Sequence, residues 1–106
     1  MPESFERGAL TEAVYMILLS FREQRHGYSV MQHVAEISNG RVRLCPGTLY
    51  GAINTLMQKE WIVNIPGEDK CRRKEYILTK LGEQVLKGES ERLEELVSLY
   101  NYNNDI

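Results

Sequence analysis

Residues 46–78 read PGTLYGAINTLMQKEWIVNIPGEDKCRRKEYIL, and within them the period of the apolar residues changes once. In the first part Leu49, Ile53, Leu56 and Met57 fall at i, i+4, i+7 and i+8, one apolar stripe of a helix. Pro46 opens that part, in the first-turn position where a missing backbone N–H does no harm. The stripe predicts a helix from Pro46 to near Glu60. Trp61-Ile62-Val63-Asn64-Ile65 is then a run of strand formers, and Pro66-Gly67-Glu68-Asp69 has the composition of a turn. Lys74-Glu75-Tyr76-Ile77-Leu78 is a second run of equal length. A helix followed by a hairpin with a polar, basic tip is the prediction for this third of the chain.

Upstream, Leu10, Val14, Ile17, Leu18 and Phe21 repeat at helical spacing and predict a helix over about 9–22. Arg25-His26-Gly27 breaks it. Tyr28, Met31, Val34, Ala35 and Ile37 predict a second helix with Gly40 as its stop. Arg41-Val42-Arg43-Leu44 alternates charged and apolar residues, the pattern of a short extended segment. Downstream, Thr79 can cap a fourth helix, with Glu83 favourably placed in its first turn. Leu86, Leu93 and Tyr100 fall seven apart with Leu96 and Val97 on the same face, so this helix should reach about residue 101. Gly88 within it marks a place for a bend, and Asn101 to Ile106 reads as a frayed tail.

The order is helix, helix, helix, strand, strand, helix: an α+β, mainly α chain. Three short helices and a hairpin are the layout of a winged helix-turn-helix, with the third helix entering the DNA major groove and a two-stranded wing beside it. Residues 1–80 would form that unit and 81–106 a long C-terminal dimerisation helix with its tail, one structural domain overall.

At 106 residues the chain suffices for one compact domain, and 42% hydrophobic with 26% charged residues is a soluble globular balance. The longest apolar run, Val14 to Leu19, falls far short of the roughly 18 residues of a membrane span, so a cytoplasmic protein without a membrane partner is expected. Two cysteines exclude a disulfide framework and an all-cysteine zinc cage. His26 and His33 stand seven apart with no nearby acidic pair, so neither a metal site nor a cofactor is expected.

A net charge of −2 argues at first against nucleic acid. Charge is segregated, however. Residues 1–40 sum to −2, residues 41–80 to +4 and residues 81–106 to −4. A polyanion can bind the middle.

His26-Gly27-Tyr28 ahead of the second helix and Pro46-Gly47-Thr48-Leu49-Tyr50 opening the third resemble the PadR family of bacterial transcriptional regulators. Arg72-Arg73-Lys74-Glu75-Tyr76-Ile77-Leu78-Thr79, with Gly82 three residues on, resembles that family's wing and its entry into the last helix. The resemblance covers about residues 10–100, with three motifs agreeing in order and spacing. It implies a winged-helix homodimer on double-stranded operator DNA, usually a repressor, that often answers to a small-molecule effector at the dimer interface. It also implies a bacterial cytoplasmic protein, on the nucleoid when bound. The short C-terminus resembles members that dimerise through a single helix.

The candidate DNA-contacting residues follow. On the third helix the apolar stripe leaves Thr48, Tyr50, Gly51, Asn54, Thr55 and Gln58 on other faces; asparagine and glutamine can pair with adenine edges, threonine and tyrosine with phosphates or thymine methyls. Thr48 and Tyr50 lie within the matching motif, whereas Asn54 is selected by helix geometry. Tyr28 and Ser29 can reach a backbone phosphate from the second helix, the plainer alternative being Tyr28 packed on the first. Lys70, Arg72, Arg73 and Lys74 are the densest positive cluster; such a run is ordinarily a solvated turn, but on a wing it suits phosphate or minor-groove contact. Leu86, Leu93, Leu96, Val97 and Tyr100 make the dimer stripe. The resemblance also implies, in some members, an aromatic on the last helix that helps hold the ligand; here Leu93 is aliphatic and Tyr100 and Tyr102 lie at the helix end, so a flat aromatic-sandwich ligand site is not expected.

Two thiols remain. Cys71 stands among cations that would lower its pKa, whereas Cys45 is expected to be buried as a small hydrophobe. The competing function class is a winged-helix protein-interaction module without operator binding. An enzyme is not expected, since the chain has no Ser-His-Asp set, glycine-rich phosphate loop or evident carboxylate pair.

Overall fold

The computed structural model describes residues 9–66 and 74–104. Helix α1 (Glu12–Ser20) starts at Thr11, whose hydroxyl accepts from the Val14 N–H at 3.2 Å. That cap makes α1 shorter than its apolar spacing suggests, and leaves Leu10 and the wholly buried Phe21 just beyond its ends. The two-residue strand β1 (Arg25–His26) leads into α2 (Gly27–Ile37), capped by His26 Nδ1, which accepts from the Ser29 N–H at 3.2 Å. α2 ends as Asn39 and Gly40 turn left-handed (φ 55° and 81°) and the Gly40 N–H reaches back to the Ala35 carbonyl at 2.7 Å. Then follow α3 (Pro46–Gln58), β2 (Ile62–Ile65), β3 (Glu75–Leu78) and α4 (Lys80–Asn104).

The sheet has three strands in the order β1-β3-β2, all antiparallel, with Asn64 and Arg25 both opposite Tyr76. The hairpin matches the sequence reading; the third strand does not appear in it. Two residues carry no readable period, and β1 exists only because β3 offers its free edge. The Arg41–Leu44 stretch is no strand. Val42 and Leu44 turn inward against the core without a partner strand, which accounts for the alternation.

The core joins α1, α2, α3, the sheet and the start of α4: Ile17, Leu18, Phe21, Val30, Val34, Leu49, Ile53, Leu56, Ile62, Tyr76 and Leu86. Phe21 meets the Tyr76 ring edge-on, at 5.8 Å and 69°. The α3 stripe is narrower than predicted, because Met57 points outward and is 38% exposed.

α4 begins docked on the corner between α3 and β2. Thr79 Oγ1 donates to the Glu60 carbonyl at 2.6 Å and accepts from the Gly82 N–H at 3.0 Å. A Cβ on Gly82 would overlap the Trp61 carbonyl oxygen, so only glycine permits this approach. From there α4 runs without interruption through Gly88 to Asn104, past the tail expected at Asn101. Among the described residues, no helix is long and apolar enough to cross a membrane.

Candidate nucleic-acid interface

α3 buries Leu49, Ile53 and Leu56 and thereby turns Thr48, Tyr50, Gly51, Asn54, Thr55 and Gln58 outward. Thr55 spends its hydroxyl hydrogen on the Gly51 carbonyl at 3.2 Å, so it can only accept from a ligand. Tyr50 and Asn54 stand four apart, one helical turn, and face the same way.

That face meets two other elements. Tyr50 and Asn54 from α3, Tyr28 from the first turn of α2, His26 from β1, and Lys74 and Tyr76 around the start of β3 line one open groove of about 500 Å³. Four of the nine residues predicted to contact DNA (Tyr28, Tyr50, Asn54 and Lys74) thus converge from three places in the chain. Tyr28 is 56% exposed and lines the groove. The groove offers phenol and amide hydrogen-bonding groups and one ammonium, the chemistry that phosphates and base edges recognise.

Tyr76 is the groove's floor. It is 6% exposed, and burial, with a smaller contribution from neighbouring Tyr50, pushes its phenol above the ordinary value, so it stays a neutral donor. From the sequence, Tyr76 reads as a strand residue and His26 as part of the break before the second helix. Neither was placed at the interface, because only the β1–β3 pairing, invisible in the periodicity, brings them there.

Ser29 and Thr48 stand apart from the groove lining. Ser29 is half-buried, and its hydroxyl accepts from Arg25 Nη1 at 2.9 Å while Arg25 Nε donates to the Ser20 carbonyl at 2.8 Å. Arg25 therefore serves as a strut between α1 and α2. Thr48, in the first turn of α3, lies 3.2 Å from Cys45 Sγ. Cys45 is the N-cap of α3 and is exposed, contrary to the expected burial, because its extended backbone (φ −94°, ψ 159°) precedes the helix rather than belonging to its buried stripe. The Thr48 hydroxyl holds its thiol below the ordinary value, helped by backbone N–H groups at the helix start.

Lys70, Arg72, Arg73 and Cys71 lie outside the described residues. Arg41, counted in the basic middle, forms a two-point ion pair with Glu12 of α1, one bond at 2.9 Å, which lowers the Glu12 pKa and raises its own. Segment-wise charge could not register this pair, because its members are 29 residues apart.

The predicted dimer stripe divides. Leu86 is 4% exposed in the core of its own chain and has no surface to give a partner, which corrects its assignment. Leu93, Leu96, Val97 and Tyr100 are exposed at 37, 48, 57 and 66%, together with Leu99 and Tyr102.

Comparison with known proteins agrees with this architecture. The chain superimposes on a transcriptional regulator from Clostridium thermocellum with a TM-score of 0.71 at 22% identity, over 94% of this chain and 97% of that one, a likeness of fold. It is 30% identical to an uncharacterised protein X of Lysinibacillus sphaericus over 76% of this chain and 73% of that protein. It is 34% identical over 67% of its length to an uncharacterised 37.1 kDa protein of transposon TN4556 in Streptomyces fradiae, and spans 19% of that longer relative. Residues 16–88 match the family model of the PadR-like transcriptional regulators, and the chain belongs to that family of DNA-binding regulators of transcription.

Proposed function

We propose that the chain is a sequence-specific repressor that binds double-stranded operator DNA as a homodimer and is released by a small-molecule effector. The observation that carries this reading is the groove in which Tyr28, Tyr50, Asn54 and Lys74 meet. In this reading α3 enters the major groove, Tyr50 and Asn54 read base edges, and Tyr28, Ser29 and Thr48 hold phosphates. Lys70, Arg72, Arg73 and Lys74, which follow β2 and precede β3 in the sequence, add the charge that a mildly acidic chain otherwise lacks. The exposed Leu93, Leu96, Val97 and Tyr100 support a second copy as the cover for α4, and two copies match the two-fold symmetry of an operator. An effector would bind along that same helix, where Tyr15, Ser90, Leu93 and Val97 line a depression of about 380 Å³.

Selection from a randomised duplex library, followed by affinity measurements at several salt concentrations, tests the reading. The wild-type chain should enrich a two-fold sequence. Asn54→Ala should lose about 1–3 kcal/mol on that duplex and little on a scrambled one. Arg72→Ala, Arg73→Ala and Lys74→Ala together should weaken both and flatten the salt slope by about two to three units. No enriched sequence, or an unchanged slope in the triple variant, would falsify it.

A further inference from the structure

Gly27 opens α2 at the rim of the groove and is buried. Its backbone is not left-handed, so conformation does not require glycine there. Space does. A Cβ at Gly27 would lie 2.5 Å from Tyr50 Oη, 2.8 Å from Cζ and 3.0 Å from Cε1, well inside the roughly 3.5 Å of ordinary contact. The Tyr50 phenol, arriving from α3, thus rests directly on the main chain of α2.

The kind of atom approached matters as much as the distance. At Gly82 an added Cβ would strike a main-chain carbonyl, which cannot step aside. At Gly27 it would strike the outer end of a side chain that is 45% exposed in an open groove. Tyrosine has two rotatable bonds, and its ring can swing outward without disturbing the core. A methyl group at Gly27 would therefore leave the fold standing and move one hydroxyl. A hydrogen bond to a phosphate or base edge tolerates only a few tenths of an ångström before it weakens, so that displacement falls on recognition.

We infer that Gly27 is a positioning residue for DNA recognition. Its missing side chain seats the Tyr50 phenol against α2 and holds the hydroxyl beside Asn54 and Lys74. The inference rests on the DNA-binding reading above, and touches DNA only through Tyr50.

The test uses the full chain, the duplex enriched by the wild type and a scrambled duplex of equal length. Gly27→Ala should lose about tenfold on the enriched duplex and almost nothing on the scrambled one, with its melting temperature nearly unchanged. In chains carrying 13C-tyrosine, the Tyr50 ring signals should shift in Gly27→Ala while those of buried Tyr76 stay in place. In a Tyr50→Leu background, adding Gly27→Ala should cause no further loss, since the two act through one phenol. Should Gly27→Ala unfold, Gly27→Ala with Tyr50→Leu should restore the fold, and its failure to do so overturns the inference. Ring signals that do not move overturn it too, as does an equal added loss in the Tyr50→Leu background. Moved rings with undiminished selectivity overturn this inference alone, whereas a wild type that enriches nothing overturns the DNA reading beneath it.

Discussion

Leu86 and Leu93 lie seven residues, two turns, apart on α4, yet the first is 4% exposed and the second 37%. Below Leu86 the helix closes the core formed by α1, α2, α3 and the sheet, and the head is complete within one chain. Above Leu93 the apolar residues continue, through Leu96, Val97, Leu99, Tyr100 and Tyr102, and all of these stay exposed among the described residues. The charge divides as well: residues 81–106 sum to −4, and the segment that carries α3 and the hairpin to +4. One amphipathic helix thus does two jobs in succession. Its first half packs into the core of its own chain, and its second half carries exposed apolar side chains, the face proposed above to meet a second copy.

Substitution in each half should break this contrast in opposite ways. Phe21→Ala removes a wholly buried ring that packs edge-on against Tyr76, and should cost about 3–5 kcal/mol in chemical denaturation, a large fraction of the stability of a small domain. Leu96→Glu with Val97→Glu leaves the head folded, because neither residue touches its core. Light scattering should then give the 12.3 kDa of one chain where the wild type gives twice that mass. A double variant that stays dimeric removes this face of α4 from the interface.

The two halves are joined by Glu89. Its carboxylate, with 2% side-chain exposure, accepts from the Leu10 N–H at 3.1 Å and from Arg92 at 2.9 and 2.6 Å, so the segment before α1 is tied to the helix at the point where burial stops. One turn of helix separates it from Val85, and on its other side Ser90 bonds Tyr15 Oη at 2.7 Å. Arg92 chiefly, and the Leu10 N–H as well, hold Glu89 below the ordinary carboxyl value of 4.5. A carboxyl that titrates lower when folded stabilises above its unfolded value and loses that contribution as pH falls through the folded value. Wild-type stability should accordingly decline on acidification below about pH 4.5, in part through Glu89. Glu89→Gln should be less stable by about 1–3 kcal/mol at pH 7 and should show a shallower decline in acid. Parallel curves for the two proteins would assign the acid sensitivity elsewhere.

The architecture was legible where a side chain's neighbours lie on its own element. The α3 stripe, the hairpin and the Thr79 cap all follow from spacing and local chemistry. What was not legible depends on pairs distant in sequence. β1 needs β3, the Arg41 ion pair needs Glu12, and burial of Leu86 needs α1 to lie beneath it. The groove shows the same division. Tyr50 and Asn54 could be chosen from one helix, but their meeting with Tyr28 and Lys74, and the seat at Gly27, arise only when three elements pack. Cys45 failed for a subtler reason: hydrophobic character predicts burial on average, and an N-cap position overrides it.

The smallest effect is expected at the corner from which the two regions diverge. Glu60 ends α3 with φ 65°, a left-handed angle that side chains disfavour, while the Trp61 N–H reaches back to the Leu56 carbonyl at 3.0 Å. α2 solves the same problem with glycine at position 40. Glu60 is exposed, and it is its main-chain carbonyl, not its carboxylate, that Thr79 binds in docking α4. Glu60→Gly keeps that carbonyl and relieves the strain, against the extra freedom that glycine gives the unfolded chain. The balance should raise stability by up to about 1 kcal/mol, measured as a higher denaturation midpoint at unchanged slope. Since the change leaves both the groove and the outer half of α4 intact, DNA affinity and mass should stay as in the wild type. A lower midpoint would mean that the Glu60 side chain contributes more to this corner than its backbone angle costs.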